Sequence, residues 1–249
     1  MKRVNLFSCP MDIATMDETV GCISDRVSKR QFTQHVVVNV AKLVNMRNDA
    51  RLAESVRSCD LINIDGMGVL WAARFLGHSV QERVAGVDLF ERLVRVSAER
   101  NFPVFFLGGT EKIVERATVI LTERYPALKV AGYHHGYFWD DEQKIVEKIQ
   151  TSGARLLFVA ITSPKKEIFI DRWKNQLGVD FVMGVGGTFD VVAGAVRRAP
   201  IWMQKAGLEW LFRVIQEPRR MWRRYLVTNS KFAVMLVKAR IAVARGSAA

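Results

Sequence analysis

Cysteine is scarce in this 249-residue chain, and the three present, Cys9, Cys22 and Cys59, are odd in number, widely spaced and form no C-x-x-C pair. That pattern argues against a disulfide framework or a cysteine zinc site and fits a reducing compartment. The four histidines show no metal-ligand spacing, and no Asp-x-Asp pair occurs anywhere. The nearest acidic arrangement, Asp140-Asp141-Glu142, reads as a helix cap. No window of about 18 uncharged apolar residues exists, so no bilayer-spanning segment is expected. The opening "MKRVNLFSCPMDIATMDETV" has two basic residues but no long apolar core, and is not read as a signal peptide. Internal repeats, low-complexity linkers, a G-x-G-x-x-G loop and a Walker loop are also missing.

With 49 % hydrophobic and 25 % charged residues, the chain has the make-up of a folded globular protein, one large α/β domain or two small ones. Its formal charge is +12, and the basicity is concentrated: from Arg197 onward there are 12 Lys/Arg against 2 Asp/Glu, which accounts for +10 of it. Such a tail is either a solvated helical face or a surface for phosphates on nucleic acid or anionic lipid.

Short β-branched runs alternate with longer amphipathic stretches. "RVNLFSC", "HVVVNV", "DLINI", "PVFFLGG", "LKVAGY", "RLLFVAI" and "DFVMGVGG" read as strands. Between them lie helical stretches: "TMDETVGCISDRVSKR", opened by a Thr15-x-x-Glu18 capping box, "AKLVNMRNDARLAESVRSC" as one helix, and "MGVLWAARFLG", ended by Gly77. This alternation, with strands that look buried, predicts an α/β fold: a mostly parallel, Rossmann-like sheet with helices on both faces. Beyond Pro200 the strands stop, and helices broken near Pro218 are expected. The organisation expected is an α/β domain over 1–196 and a basic helical C-terminal appendage over 197–249.

In an open α/β sheet, ligands sit beyond the carboxyl ends of the strands. The stretch "LINIDGMGVL" places Asp65 at such an end, followed by Gly66 and Gly68 and then a helix. An ionised Asp there is a candidate general base or sugar-hydroxyl ligand; the alternative is a plain helix cap. "FFLGGTE" sets Gly108 and Gly109 between strand and helix, and "GVGGTFD" does so again with Gly186, Gly187 and Asp190. Both are cradles for phosphate or ribose. "QERVAGVDLFERL" adds Arg83 and Asp88, with Arg83 either meeting a phosphate or bridging to a neighbouring helix. "AITSPKKE" brings Lys165, Lys166 and Glu167 to another strand end, where the lysines either contact substrate or lie on solvated surface. His134-His135, beside "GYF" at a strand end, is read as loop.

Taken in order, "NVAKLV", "CDLINIDGMGV", "ERVAGVDLF", "VFFLGG", "YPALKVAGYHHGYF", "LFVAITSPKKE", "GVGGTFDVVAGAVRRAPIWMQKAGLEWLFRVIQEPRR" and "RRY" resemble the WecG/TagA/CpsF family of bacterial glycosyltransferases (glycosyltransferase family 26), over roughly residues 36–225. The resemblance implies an enzyme without a cofactor: inverting, metal-independent transfer from a UDP-sugar to a sugar already carried on polyprenyl diphosphate. It implies a cytoplasmic protein held peripherally at the inner face of the plasma membrane, working in polysaccharide assembly. By the same resemblance Asp65 is the catalytic base. Asn39, Arg83, Asp88, Lys166 and Glu167 contact substrate, and Gly108, Gly109, Tyr137, Gly186, Gly187 and Asp190 lie by the nucleotide. The appendage would close over the site and bring Arg213, Arg219, Arg220, Arg223 and Arg224 to the diphosphates. Two departures bear on the sugars: Val37 stands where many members have Thr, and Lys166 where many have Gln, with Thr162 in place of a Gly. The "SPKKE" form is similar to exopolysaccharide members, some of which transfer glucose, so glucose and N-acetylmannosamine are the two donors expected. The other reading is a UDP-binding scaffold subunit without chemistry of its own. Homo-oligomerisation is left open.

In the tail, Arg224, Lys231, Lys238 and Arg245 recur every seven residues, one slowly drifting stripe on a helix. Tyr225, Leu226, Phe232, Ala233, Met235, Leu236, Val237, Ile241 and Val243 fill much of the rest. Such a helix suits a bilayer interface, where each basic residue near anionic lipid adds about 1 kcal/mol. The alternative is packing on the domain or a second subunit with snorkelling lysines. With neither an RNA-type aromatic motif nor a helix-turn-helix pattern, no nucleic-acid partner is expected.

Overall fold

The chain's first residues form a hairpin where the sequence suggests one strand. In the computed structural model, which describes residues 1–245, β1 (Lys2–Leu6) and β2 (Cys9–Ile13) pair antiparallel. The turn residues Phe7 and Ser8 have φ of 56° and 61°. Two left-handed residues are what a tight hairpin turn needs, but Asn-Gly usually supplies them, so "Phe-Ser" carries no turn signal. Tertiary packing holds the turn instead: the Phe7 ring is buried 5.1 Å from that of Phe232, on the long C-terminal helix α12 (Pro218–Ala244).

The remaining strands are β3 (Thr33–Val38), β4 (Leu61–Ile64), β5 (Val104–Gly108), β6 (Val130–His134), β7 (Leu156–Ala160) and β8 (Phe181–Gly184). The eight form one sheet in the order β1-β2-β4-β3-β8-β7-β5-β6, parallel everywhere except the β1–β2 edge. The sheet's middle strands, β4, β3, β8, β7 and β5, carry almost no exposed residue, because helices cover both faces.

Helices follow the strands as expected, with one division. α1 (Met16–Ser28) begins with the full Thr15–Glu18 capping box. The single helix read after β3 is two, α2 (Val40–Met46) and α3 (Ala50–Arg57), because the Asp49 side chain caps the second by accepting from the Leu52 N–H. α4 (Met67–Phe75) ends before Gly77, whose φ is +92°. α5 (Gly86–Glu99) precedes β5, and α6 (Glu111–Arg124), α7 (Glu142–Thr151), α8 (Lys165–Trp173) and α9 (Thr188–Val192) follow β5 to β8 in turn. Asp141 caps α7, as its acidic run suggested. His134, read as loop, is the last residue of β6. The segment from 197 onward holds α10 (Ile201–Lys205), α11 (Glu209–Gln216) and α12, with Pro218 in the first turn of α12.

Buried Phe90, Phe106, Phe158 and Phe189 join α1, α5, α6 and α9 on one face of the sheet. The other face carries α2, α3, α4 and α12 at one end and α7 and α8 at the other. This sorting places the site. β3 leads into α2 on one face and its neighbour β8 into α9 on the opposite face. β5 and β7 diverge in the same way, into α6 and α8. Where adjacent parallel strands send their chains to opposite faces, a crevice opens at their carboxyl ends.

The structure divides the tail's apolar residues between two faces of α12. Phe232, Met235, Leu236 and Val243 pack against the α2–α4 side of the body. Leu226, Val237 and Ile241 point away from it and are 59 %, 58 % and 46 % exposed. No helix among the described residues is long and apolar enough to cross a membrane.

Candidate active site

Asp65 leaves the end of β4 with its N–H still donating to the Val38 carbonyl at 3.0 Å. It does not cap α4, whose N-cap is Gly66. Its Oδ1 instead accepts from the Gly86 N–H, at the start of α5, at 3.3 Å. The side chain is about three-quarters buried. Burial pushes its carboxyl above the ordinary carboxylate range; Arg83 and the Gly86 N–H pull it back, Glu209 pushes it up again, and Arg213 draws it down. A carboxylate so placed is a better proton acceptor than a free one.

Close packing fixes this corner. Asn39 caps α2 by accepting from the Lys42 N–H, and its Cβ lies where any side chain at Gly66 would crowd it, at 3.3 Å. A Cβ at Gly68 would lie 2.8 Å from a Val40 methyl, so α4 can start against α2 only with glycine there. Val37, which stands where the resemblance places a Thr, packs a methyl close to Gly86, whose N–H holds Asp65.

Arg83 donates from Nη1 to the Asp65 carbonyl at 3.3 Å and stands 3.9 Å from Asp65 Oδ1; its Nη2 meets Glu209 Oε2 at 2.5 Å. Asp88 is spanned by Arg198, with Nη1 and Nη2 at 2.5 and 2.8 Å from its two oxygens. Arg198 Nε reaches Glu209 Oε1 at 3.5 Å. Asp65, Arg83, Glu209, Arg198 and Asp88 thus alternate in sign along a continuous chain that leaves the sheet rim for the 198–209 segment and returns to α5. The sequence reading missed Arg198 and Glu209. The one available signal was that Glu209 is one of only two acids after Arg197, in a segment otherwise rich in cations.

A second charged cluster is sealed beneath the strand ends. Lys166 is not surface: it is 8 % exposed, its stem lies against Gly184, and its Nζ is 2.6 Å from Glu167 Oε1. Lys42 reaches the same oxygen at 2.8 Å, while Glu167 Oε2 has no hydrogen-bond partner. Burial and Lys42 lower Lys166 to about 8. Burial opposes ionisation of Glu167, yet the two lysines outweigh it and bring it to about 2. Lys165, by contrast, is exposed over the Trp139 ring at 4.9 Å.

The glycine-rich turns lie at the β5, β6 and β8 ends of the rim. Gly108 has φ +128°, and a Cβ there would sit 2.3 Å from the Ala160 carbonyl oxygen, so β5 approaches β7 only through glycine. The Gly136 N–H closes onto the Gly109 carbonyl at 2.9 Å, which places the 70 % exposed Tyr137 beside that turn. Gly186 has φ +56° above open space, Gly187 is the N-cap of α9, and Asp190 lies within that helix. Arg213 on α11 and Arg223 and Arg224 on α12 are exposed; the side chain of Arg220 lies outside what is described. A surface cleft of about 280 Å³ lies elsewhere, by Arg51, Glu54, Asp171 and Arg172 between α3 and α8, while one of about 220 Å³ by Arg92 and Tyr125 borders the corner at Asp88.

An open parallel sheet with a charged corner of paired acids and arginines, a largely buried carboxylate and glycine turns at its carboxyl rim is the arrangement of an enzyme that handles a nucleotide-linked substrate. The family model of the glycosyl transferase WecG/TagA/CpsF family matches residues 4–246, and the chain belongs to that family. It is a glycosyltransferase of the hexosyl class, which sets aside the scaffold without chemistry. Among its relatives is the N-acetylglucosaminyldiphosphoundecaprenol N-acetyl-beta-D-mannosaminyltransferase of Bacillus spizizenii, 32 % identical over 194 residues, covering 78 % of this chain and 73 % of the relative. The protein of the same name from Bacillus subtilis is 33 % identical over 181 residues, covering 73 % and 70 %.

Proposed function

We propose that this chain is an inverting glycosyltransferase that moves a sugar from a UDP-sugar to a sugar carried on polyprenyl diphosphate, in the assembly of a cell-surface polysaccharide. The observation that carries the reading is Asp65: a largely buried carboxylate at a strand end, held by a backbone N–H and faced by an arginine, in a chain of this family. A sugar hydroxyl is far too weak an acid for a carboxylate to ionise beforehand. Asp65 therefore accepts the proton late, as the acceptor oxygen attacks the anomeric carbon from the face opposite the departing UDP. The acidic side chains of this corner are each matched with arginine rather than grouped with one another, so charge growing on the leaving diphosphate is offset by guanidinium groups, Arg83 first, without a metal.

The names of the two Bacillus relatives favour N-acetylmannosamine as the donor sugar and N-acetylglucosamine as the acceptor. Glucose, for an exopolysaccharide, is the alternative, and rests on Val37 and Lys166. A lipid-linked acceptor also suits the position of the appendage. α12 buries one face on the body and turns Leu226, Val237 and Ile241 outward, flanked by Lys231 and Lys238, toward an anionic bilayer at the cytoplasmic side.

The test supplies UDP-N-acetylmannosamine, UDP-glucose and UDP-glucuronate in turn to the full chain, with polyprenyl-diphosphate-linked N-acetylglucosamine or glucose and EDTA present. A lipid-linked disaccharide from one pairing is the expected result. No product from any pairing would overturn the reading, and product only when divalent metal is restored would overturn its metal-free part.

A further inference from the structure

Glu209 sits in an unexpected place for an acid. The segment from Arg197 onward has 12 cations and two carboxylates, yet one of those carboxylates is inserted between Arg83, which faces Asp65, and Arg198, which holds Asp88. Each arginine is braced from behind by the body. Arg83 holds the Asp65 carbonyl through Nη1, and Arg198 holds both Asp88 oxygens through Nη1 and Nη2. Each then offers its free edge to the same carboxylate, Arg83 through Nη2 at 2.5 Å and Arg198 through Nε at 3.5 Å. Two guanidinium groups braced in advance around one anion are the recognition geometry of a phosphate oxyanion.

We propose that Arg83 and Arg198 together form a seat for a diphosphate, and that the Glu209 carboxylate is a built-in anion that fills this seat until a diphosphate displaces it. The proposal rests on the transferase reading and gives Arg198 and Glu209 their parts in it. Arg83, Arg198 and Glu209 are only 16 %, 22 % and 27 % exposed, so water screens the exchange weakly while the seat remains open at its edge. Three anions (Asp65, Asp88, Glu209) stand among three cations (Arg83, Arg198, Arg213), so the empty corner is neutral. Removing the Glu209 carboxylate leaves a net positive charge for a ligand that carries two or more negative ones. Glu209 stands at the first position of α11 with Arg213 one turn further on. The helix that withdraws the anion therefore carries a cation on the same side.

Because the occupied seat is not competent to bind, apparent affinity is lowered by the fraction of time Glu209 fills it. The experiment is calorimetric titration of the full chain with inorganic diphosphate, UDP and uridine, for the wild type, Glu209→Gln and Arg198→Gln. Glu209→Gln should bind inorganic diphosphate and UDP about 5–10-fold more tightly and uridine unchanged, since the competing charge is removed at constant shape. Arg198→Gln should bind both phosphorylated ligands about tenfold more weakly. Unchanged or weaker diphosphate binding in Glu209→Gln would make Glu209 a strut for Arg83 and overturn the proposal. So would undiminished binding in Arg198→Gln. Should Arg198→Gln fail to fold after releasing Asp88, Glu209→Gln decides alone. These titrations need no turnover: tighter diphosphate binding in Glu209→Gln without transfer from any UDP-sugar would remove the transferase reading and leave the seat in place.

Discussion

Two charged clusters at the same sheet rim are built on opposite plans. The Asp65–Arg83–Glu209–Arg198–Asp88 chain is open at its edge, partly exposed and alternates in sign, with members drawn from the α/β body and from the segment after residue 196. The Lys42–Glu167–Lys166 triad is closed and almost wholly buried, and it carries one more cation than anion. In the open chain a carboxylate is kept available, because its neighbours are arginines that can turn to another anion. In the sealed triad both lysines are bound to a single oxygen, and no exchange is possible without breaking the packing. The first plan suits chemistry on a ligand that comes and goes. The second suits the fixed placement of α8 and α2.

Asp65→Asn should produce the largest change, a loss of about 10²–10⁴-fold in turnover, the usual contribution of a positioned base. UDP affinity, measured by titration, should hold within about twofold, because the Gly86 N–H still finds an oxygen. Normal turnover by this variant would take the open chain out of the chemistry. The acid limb of the wild-type kcat/KM profile tests the same group: activity requires ionised Asp65, so it falls as pH drops through a value above the ordinary carboxylate range.

Glu167→Gln comes next. Removing the carboxylate leaves two buried ammonium groups without a counter-charge, and breaking a buried pair in this way costs about 3–5 kcal/mol. The sign fixes where the loss is seen. Glu167 is held at about 2 in the fold, below its unfolded value, so its stabilisation is complete above the unfolded value and disappears as pH falls toward 2. The gap between the wild-type and Glu167→Gln melting curves should therefore be wide at pH 7 and close in acid. An equal gap at both pH values would mean that charge is not what the triad supplies.

The two faces of α12 invite a similar contrast. Phe232→Ala opens a cavity against Phe7 and should lower stability by about 3 kcal/mol. Changing Leu226, Val237 and Ile241 to Ser, all on the outward face, should leave the melting curve within about 0.5 kcal/mol. The same triple change should weaken sedimentation with anionic vesicles about a hundredfold, at about 1 kcal/mol lost per side chain. Vesicle binding unchanged by the triple variant would assign that face to something other than lipid.

The sheet, most of its helices and the place of Asp65 at a strand end were legible in the sequence because each rests on a local signal: β-branched runs, capping residues, and glycine beside a carboxylate. What was hidden depended on distance. The β1–β2 turn is Phe-Ser and is held by Phe232, more than two hundred positions away. Lys165 and Lys166 are neighbours of the same type, yet one lies on a tryptophan face in solvent and the other is buried on Glu167. Only the helix phase of α8 against Gly184 separates them. Arg198 and Glu209 lie in a segment whose helical pattern was plain, but the pairing of the segment's rare acid with an arginine that precedes α5 is written in no local motif.

Lys166→Gln should give the smallest effect and the most specific one. It restores an amide at the position where the resemblance places one, and leaves Lys42 and Glu167 as a one-to-one pair at 2.8 Å. Burial and Lys42 bring Lys166 down to about 8, below its ordinary value of 10.5, so the fold binds this proton less tightly than the unfolded chain does. Wild-type stability therefore gains from this group as pH rises from about 8 to 10.5, and the charged lysine is a net cost at neutral pH. The variant should melt higher than wild type at pH 7, by an amount on the order of 1 kcal/mol, and the advantage should shrink by pH 10. If the triad also shapes the sugar site, the ratio of transfer from UDP-glucose to transfer from UDP-N-acetylmannosamine should fall in the same variant. A shift in stability without a shift in that ratio would confine the triad to the fold and leave Val37, against Gly86, as the position that sets the sugar.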